Sequence, residues 1–165
     1  YLKARMENVK LIVAGRIKQD CQTYWNKISE MIEEYQLRDS IMCRTEYIPE
    51  EEAEIYFKSA DLLVLPYKHI FQSGLIYTSY RFGLPVVATA VGSLRADVVE
   101  GKTGFVCKAE DPEDLANRIQ VYFNSNMYKD LASNRHEIIR FATDKYSWAQ
   151  AGKLSSDVYK KYHSK

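Results

Sequence analysis

Phe71-Gln-Ser-Gly-Leu-Ile-Tyr-Thr-Ser-Tyr-Arg-Phe-Gly-Leu-Pro-Val-Val-Ala-Thr-Ala-Val-Gly-Ser93, running on to Gly101-Lys-Thr-Gly-Phe105, is the stretch on which the fold turns. Ser73 suits a helix N-cap, where its hydroxyl can accept from backbone amides one turn on. Leu75, Ile76, Ser79 and Phe82 share one helical face. Gly83 fits the left-handed residue that ends a helix, and Pro85 forbids its continuation. Residues 85–90 then form a short apolar, β-branched strand without alternation, as in a parallel sheet covered on both faces. Gly92-Ser93 breaks that strand, and residues 94–99 hold one or two helical turns. Gly101 and Gly104 bracket a turn before a strand over Phe105-Val-Cys107.

The first turn of the Ser73 helix holds no acid and no capping-box Glu or Gln. Its amides and the positive end of its dipole therefore lack an anion of their own, and Gly74 lets a ligand approach the backbone. Such a terminus suits a phosphate. On this segment alone simple capping by Ser73, worth about 1 kcal/mol, is the favoured reading, because every α/β domain has such termini.

Outward from this stretch the chain alternates strand and helix. A helix ending comes first, over residues 1–8, then a strand over 10–14 closed by Gly15-Arg16. A strongly periodic helix carries Tyr24, Trp25, Ile28, Met31, Ile32 and Tyr35 on one face. Residues 41–43 and 62–65 are further strands, separated by a helix over 50–59 whose first-turn acids favour its dipole. Asp111-Pro112 reads as an N-cap with Pro at the first helical position, opening a helix lined by Leu115, Ile119, Tyr122 and Phe123. One helix is expected over 127–141 and a last one from Ser147. The last buries Trp148 and keeps Lys153, Lys160 and Lys161 wet. The pattern predicts an α/β fold, a doubly wound parallel sheet in a single domain over 1–165. Ligands of such folds bind beyond the carboxyl ends of the strands. Here those ends are Gly15-Arg16, residues 45–48, residues 66–73 and residues 91–93.

Composition narrows the function. With 23 basic and 22 acidic residues the net charge is +1, and no global field points to nucleic acid. No apolar run reaches membrane-spanning length. The three cysteines have no CxxC spacing, which argues for a reducing compartment and against a disulfide framework or zinc site. Cys43 and Cys107 are expected to be buried. His69, His136 and His163 stand far apart, so no metal site is expected. Gly101-Lys102-Thr103 is not a P-loop: Ala96 occupies the upstream glycine position, and a strand follows where a helix should open. No GxGxxG follows Gly15.

Several segments resemble the C-terminal, nucleotide-sugar-binding half of the retaining group 1 glycosyltransferases, whose GT-B architecture pairs two Rossmann-like domains. They are Leu11-Ile-Val-Ala-Gly15, Tyr56-Phe-Lys-Ser-Ala-Asp61, Leu65-Pro66-Tyr67, Gly83-Leu-Pro-Val-Val-Ala-Thr89, Val91-Gly92, Gly101-Lys-Thr-Gly104, residues 111–115 and Tyr146-Ser147-Trp148. The resemblance implies a hexosyltransferase-type enzyme that transfers sugar from a nucleotide-diphosphate donor. The acceptor would be held by a preceding domain, and that domain and this one's first strand would be absent from the chain. The chain alone is then expected to be inactive, and an apolar patch to be exposed near its last helix or the sheet edge. The implied donor-binding residues are Gly15, Arg16, Tyr47, Ile48, Gln72, Ser73, Gly74, Leu75 and Thr78. The base would lie near Gly15-Arg16 and residues 45–48, and the diphosphate at Ser73, Gly74 and Leu75. No cofactor or metal is implied. The expected setting is polysaccharide biosynthesis in the cytoplasm, at the inner face of the membrane.

The chain also departs from that family. Its usual pair of glutamates falls on Ile70 and Thr78, and the glutamate after the paired glycines falls on Ala96, one residue from Asp97. The catalytic residues are thus unassigned. A non-catalytic binding module, or a nucleotide-sugar epimerase of the same fold, stands beside the transferase reading.

Overall fold

A computed structural model describes residues 1–163. The chain divides into two compact units, Tyr1–Tyr56 and the residues from Phe57 onward.

In the first unit, strands β1 (Leu11–Ala14) and β2 (Ile41–Arg44) pair in parallel, with Leu11 opposite Ile41 and Ala14 opposite Arg44. Helix α1 (Gln22–Glu34) links them, and α2 (Glu50–Ser59) follows. The apolar stripe of α1 is partly covered: Trp25, Ile28 and Ile32 are half-buried, while Tyr24, Met31 and Tyr35 are exposed. Residues 1–8 form turns rather than the expected helix ending. Cys43 is exposed, against expectation, because a two-stranded ribbon does not cover both faces of its strands.

The second unit has a three-stranded parallel sheet in the order β3 (Leu63–Leu65), β4 (Val86–Thr89), β5 (Gly104–Cys107). The central strand β4 is buried throughout, as its unbroken Val-Val-Ala-Thr run requires. Helix α3 (Gly74–Arg81) joins β3 to β4, and the short α4 (Leu94–Asp97) joins β4 to β5. Then come α5 (Pro112–Asn124), α6 (Asn126–Lys129), α7 (Leu131–Tyr146) and α8 (Trp148–His163). Helix α5 packs on β4 and β5, and α3 packs on α7. The core consists of Leu65, Ile76, Tyr80, Leu84, β4, Leu94, Tyr122 and Ile138.

Local signals act as read. Gly83 ends α3 at φ +67°, and Asp111 accepts from the Asp114 amide at 2.9 Å. The helix expected over 127–141 is broken at Asp130 (φ −121°, ψ 52°). The Asn134 side-chain amide spans the break, donating to the carbonyls of Met127 (3.2 Å) and Asp130 (2.9 Å). Three outward-facing backbone groups along the edge strand β5 and just past its end also have partners. The Gly104 carbonyl accepts from the Gly101 amide, the Val106 amide donates to the Glu100 carboxylate at 2.9 Å, and the Lys108 amide donates to Asp114 at 2.8 Å.

Trp148 is not buried: 93% of it is exposed. Helix α8 buries no residue, and Leu154, Val158, Tyr159 and Tyr162 are exposed with it, so the expected apolar patch is present on this helix.

Candidate functional site

The carboxyl end of β3 is held by its neighbour. The Thr89 hydroxyl, closing β4, donates to the carbonyl of Tyr67 at 2.7 Å. The chain then loops from Lys68 to Gln72 before α3. Ser93 donates its amide to the Phe71 carbonyl at 2.9 Å. Gly92, at φ +52°, lies so close under this loop that an added Cβ would collide with the carbonyls of Ile70 and Phe71. The loops after β3 and β4 thus form one bonded unit at the carboxyl edge of the sheet, where ligands of such folds bind.

Ser73 occupies the N-cap of α3 with extended backbone (φ −125°, ψ 121°) and is buried. Its hydroxyl makes no cap bond, which corrects the capping expectation; it pairs with the Tyr67 hydroxyl at 3.2 Å. The first-turn amides therefore have neither a side-chain acceptor nor an acid beside them. Gly74 is exposed, and a Cβ there would meet nothing within 4 Å. Leu75 is 45% exposed. Thr78 turns its hydroxyl back onto the Gly74 carbonyl at 3.3 Å. The result is an open, uncapped helix terminus of the kind that binds anions.

Two hydrogen-bonded chains hold this region from beneath. Gln72 donates through Nε2 to the Tyr77 hydroxyl at 3.1 Å, and Tyr77 donates to Asp97 Oδ2 at 3.2 Å. Deeper in the unit, the Val99 amide donates to the Thr103 hydroxyl at 2.9 Å. The Thr103 and Tyr80 hydroxyls lie 2.8 Å apart, and Tyr80 donates to the Asp97 carbonyl at 3.2 Å. Thr103, in the turn bracketed by Gly101 and Gly104, is fully buried. Burial raises the Tyr77 phenol above its ordinary range, and it raises Tyr80 more.

Gln72, Ser73, Gly74, Leu75 and Thr78 are thus brought together. The first unit joins its own loops: the Gly15 amide donates to the Arg44 carbonyl at 2.9 Å and Ile17 to Thr45 at 3.4 Å. This sets Gly15-Arg16 beside the start of residues 45–48. Arg16 is exposed, Tyr47 is 69% exposed and Ile48 is half-buried. Sequence reasoning passed over Tyr67, Tyr77 and Thr89. Among 13 tyrosines on mostly helical faces, nothing local marks the two whose hydroxyls do this work.

Parallel strands flanked by helices, with an uncapped helix terminus at their carboxyl edge, define a Rossmann-like ligand-binding domain. The chain belongs to the family described as glycosyl transferases group 1, whose profile matches residues 1–143. Curated relatives include D-inositol 3-phosphate glycosyltransferases. That of Corynebacterium urealyticum is 26% identical over 81% of this chain, and that of Nocardioides is 30% identical over 69%. The chain spans 30% and 24% of their respective lengths. Solved structures share the fold. HepE of Anabaena in complex with UDP has a TM-score of 0.79 at 17% identity, covering 93% of this chain and 41% of HepE. Sucrose-phosphate synthase of Thermosynechococcus elongatus has 0.72 at 24%, covering 93% and 38%. Among the described residues no helix is long and apolar enough to cross a membrane.

Proposed function

We propose that this chain supplies the donor-binding part of a glycosyltransferase, holding the diphosphate of a nucleotide sugar whose hexosyl group passes to an acceptor. The observation that carries this reading is the open N-terminus of α3, where Ser73 is engaged by Tyr67 and leaves the amides of Gly74 and Leu75 free of any side-chain cap. Those amides and the helix dipole stabilise the charge that builds on the leaving diphosphate, which is preorganised electrostatic catalysis. The mechanism invokes no metal. Family membership supports the reading, as does the likeness in fold to HepE, whose structure was also solved with UDP-glucose.

A second reading, a binding module without transferase activity, is favoured by one observation: Ile70 and Thr78 stand where the family places glutamates. Calorimetric titration of the full-length protein with UDP, ADP and GDP tests donor binding. Transfer assays with the corresponding sugar conjugates separate enzyme from module. Absence of binding to all three diphosphates would refute the proposal.

A further inference from the structure

We propose that Gln72 selects the donor's sugar by presenting its side-chain carbonyl to a sugar hydroxyl, and that Tyr77 and Asp97 are the positioning residues that fix its amide in that orientation. The inference rests on the donor-binding reading above. It follows from the direction in which the hydrogen bonds must run. A carboxylate only accepts, so the Tyr77 proton is committed to Asp97 Oδ2 at 3.2 Å. The Tyr77 oxygen can then only accept from Gln72. The side chain of Gln72 must therefore turn its NH2 inward, at 3.1 Å, and leave Oε1 as an uncommitted acceptor. The alternative amide orientation would set two acceptors against each other.

The anchor of this relay is itself fixed. Asp97 is only 9% exposed and closes α4. Its backbone carbonyl takes the Tyr80 proton at 3.2 Å. Tyr80 accepts in turn from Thr103, whose oxygen already accepts from the Val99 amide. Both relays thus run one way and converge on Asp97. The Tyr77 ring is held edge-on by Tyr146, with centroids 4.7 Å apart. Only Gln72 of the relay is exposed, and it directly precedes Ser73 at the open terminus. An acceptor is the wrong partner for a phosphate oxygen and the right one for a hydroxyl; the proposal gives it one of the transferred hexose, since a ribose hydroxyl, present in the free diphosphates too, would leave the preference for conjugate unchanged. A site built to bond a hydroxyl discriminates strongly against a ligand lacking it.

The test compares, in the full-length protein, the affinity for UDP, ADP and GDP with that for their hexose conjugates. The wild type is set against Tyr77→Phe, Gln72→Met and Asp97→Asn. Tyr77→Phe keeps the ring contact and loses both bonds. Asp97→Asn can donate, which lets Tyr77 turn its proton to Gln72 and invert the amide. In all three variants the preference for conjugate over free diphosphate should fall about 5- to 10-fold. A purely structural role would move both affinities together. Unchanged preference in folded Tyr77→Phe and Gln72→Met, beside a wild type that binds diphosphate, overturns this inference alone. A wild type that binds none of the diphosphates overturns the donor-binding reading and this inference with it.

Discussion

The α-carbon of Gly83 rests against the backbone of Arg135: a Cβ at Gly83 would stand 2.5 Å from the Arg135 carbonyl oxygen. From the same residue on α7, the guanidinium reaches back to the Ala60 carbonyl at 2.5 Å and the Phe82 carbonyl at 3.4 Å. The end of α3, the approach to β3 and the second turn of α7 are thus tied at one point. Gly83→Ala adds a side chain both at φ +67° and into this contact. It should lower stability by roughly 2–4 kcal/mol, read as a fall in the urea midpoint at unchanged slope.

Gly74→Asp should abolish nucleotide binding while leaving the protein folded. The position is open, and an acid in the first turn is locally favourable, but its charge would occupy the phosphate position. Calorimetry with UDP, ADP and GDP, with circular dichroism as the folding control, reads both effects. A folded variant of unchanged affinity would place the phosphate elsewhere. Thr78→Ala removes only a bond back onto the Gly74 carbonyl and should weaken binding by less than about 3-fold.

Alkaline pH should destabilise the fold. Burial pushes the Cys107 thiol up to about 11 and raises the phenols of Tyr80 and Tyr122 as well. Folding favours the neutral form of each. Their contribution is therefore complete below the ordinary thiol range, about pH 8.5, and is lost as pH rises toward the folded-state values. The urea midpoint should be flat to about pH 8.5 and fall beyond it. A constant midpoint up to about pH 11 would contradict this. At neutral pH a thiol reagent should modify Cys21 and Cys43, both exposed, and reach Cys107 only after unfolding.

Trp148 should fluoresce as a water-exposed indole, since 93% of it is exposed, whereas Trp25 is half-buried. In this 165-residue chain, Trp148→Phe should remove the red-shifted, readily quenched component and leave the unfolding midpoint unchanged. A blue shift of the remaining spectrum is the sign to look for.

Strand β4 was legible because burial on both faces demands an unbroken apolar, β-branched run. Gly83, Pro85 and the Asp111-Pro112 pair marked element boundaries through backbone geometry alone. The partner of Ser73 was not legible. A serine before a helix can cap it or can pair with a hydroxyl, and the choice depends on Tyr67, which Thr89 holds in place from another strand. The break at Asp130 is likewise decided by the reach of Asn134. For α8 the periodicity identified an apolar face and carried no information about what covers it. The uncapped terminus of α3 is therefore legible in its lack of acids, while the relay beneath it depends on contacts between residues distant in the chain.

The occupied outer amides of β5 bear on how the molecule behaves at high concentration. An exposed strand edge is a template on which another chain can add a strand, and from there sheets can grow. With Glu100 on Val106 and Asp114 on Lys108, an incoming backbone would find carboxylates seated where its own carbonyls would have to go. The sheet is closed to recruitment on that side by charge. Removing the Glu100 carboxylate should raise the tendency to form intermolecular β-structure before it costs much folding stability.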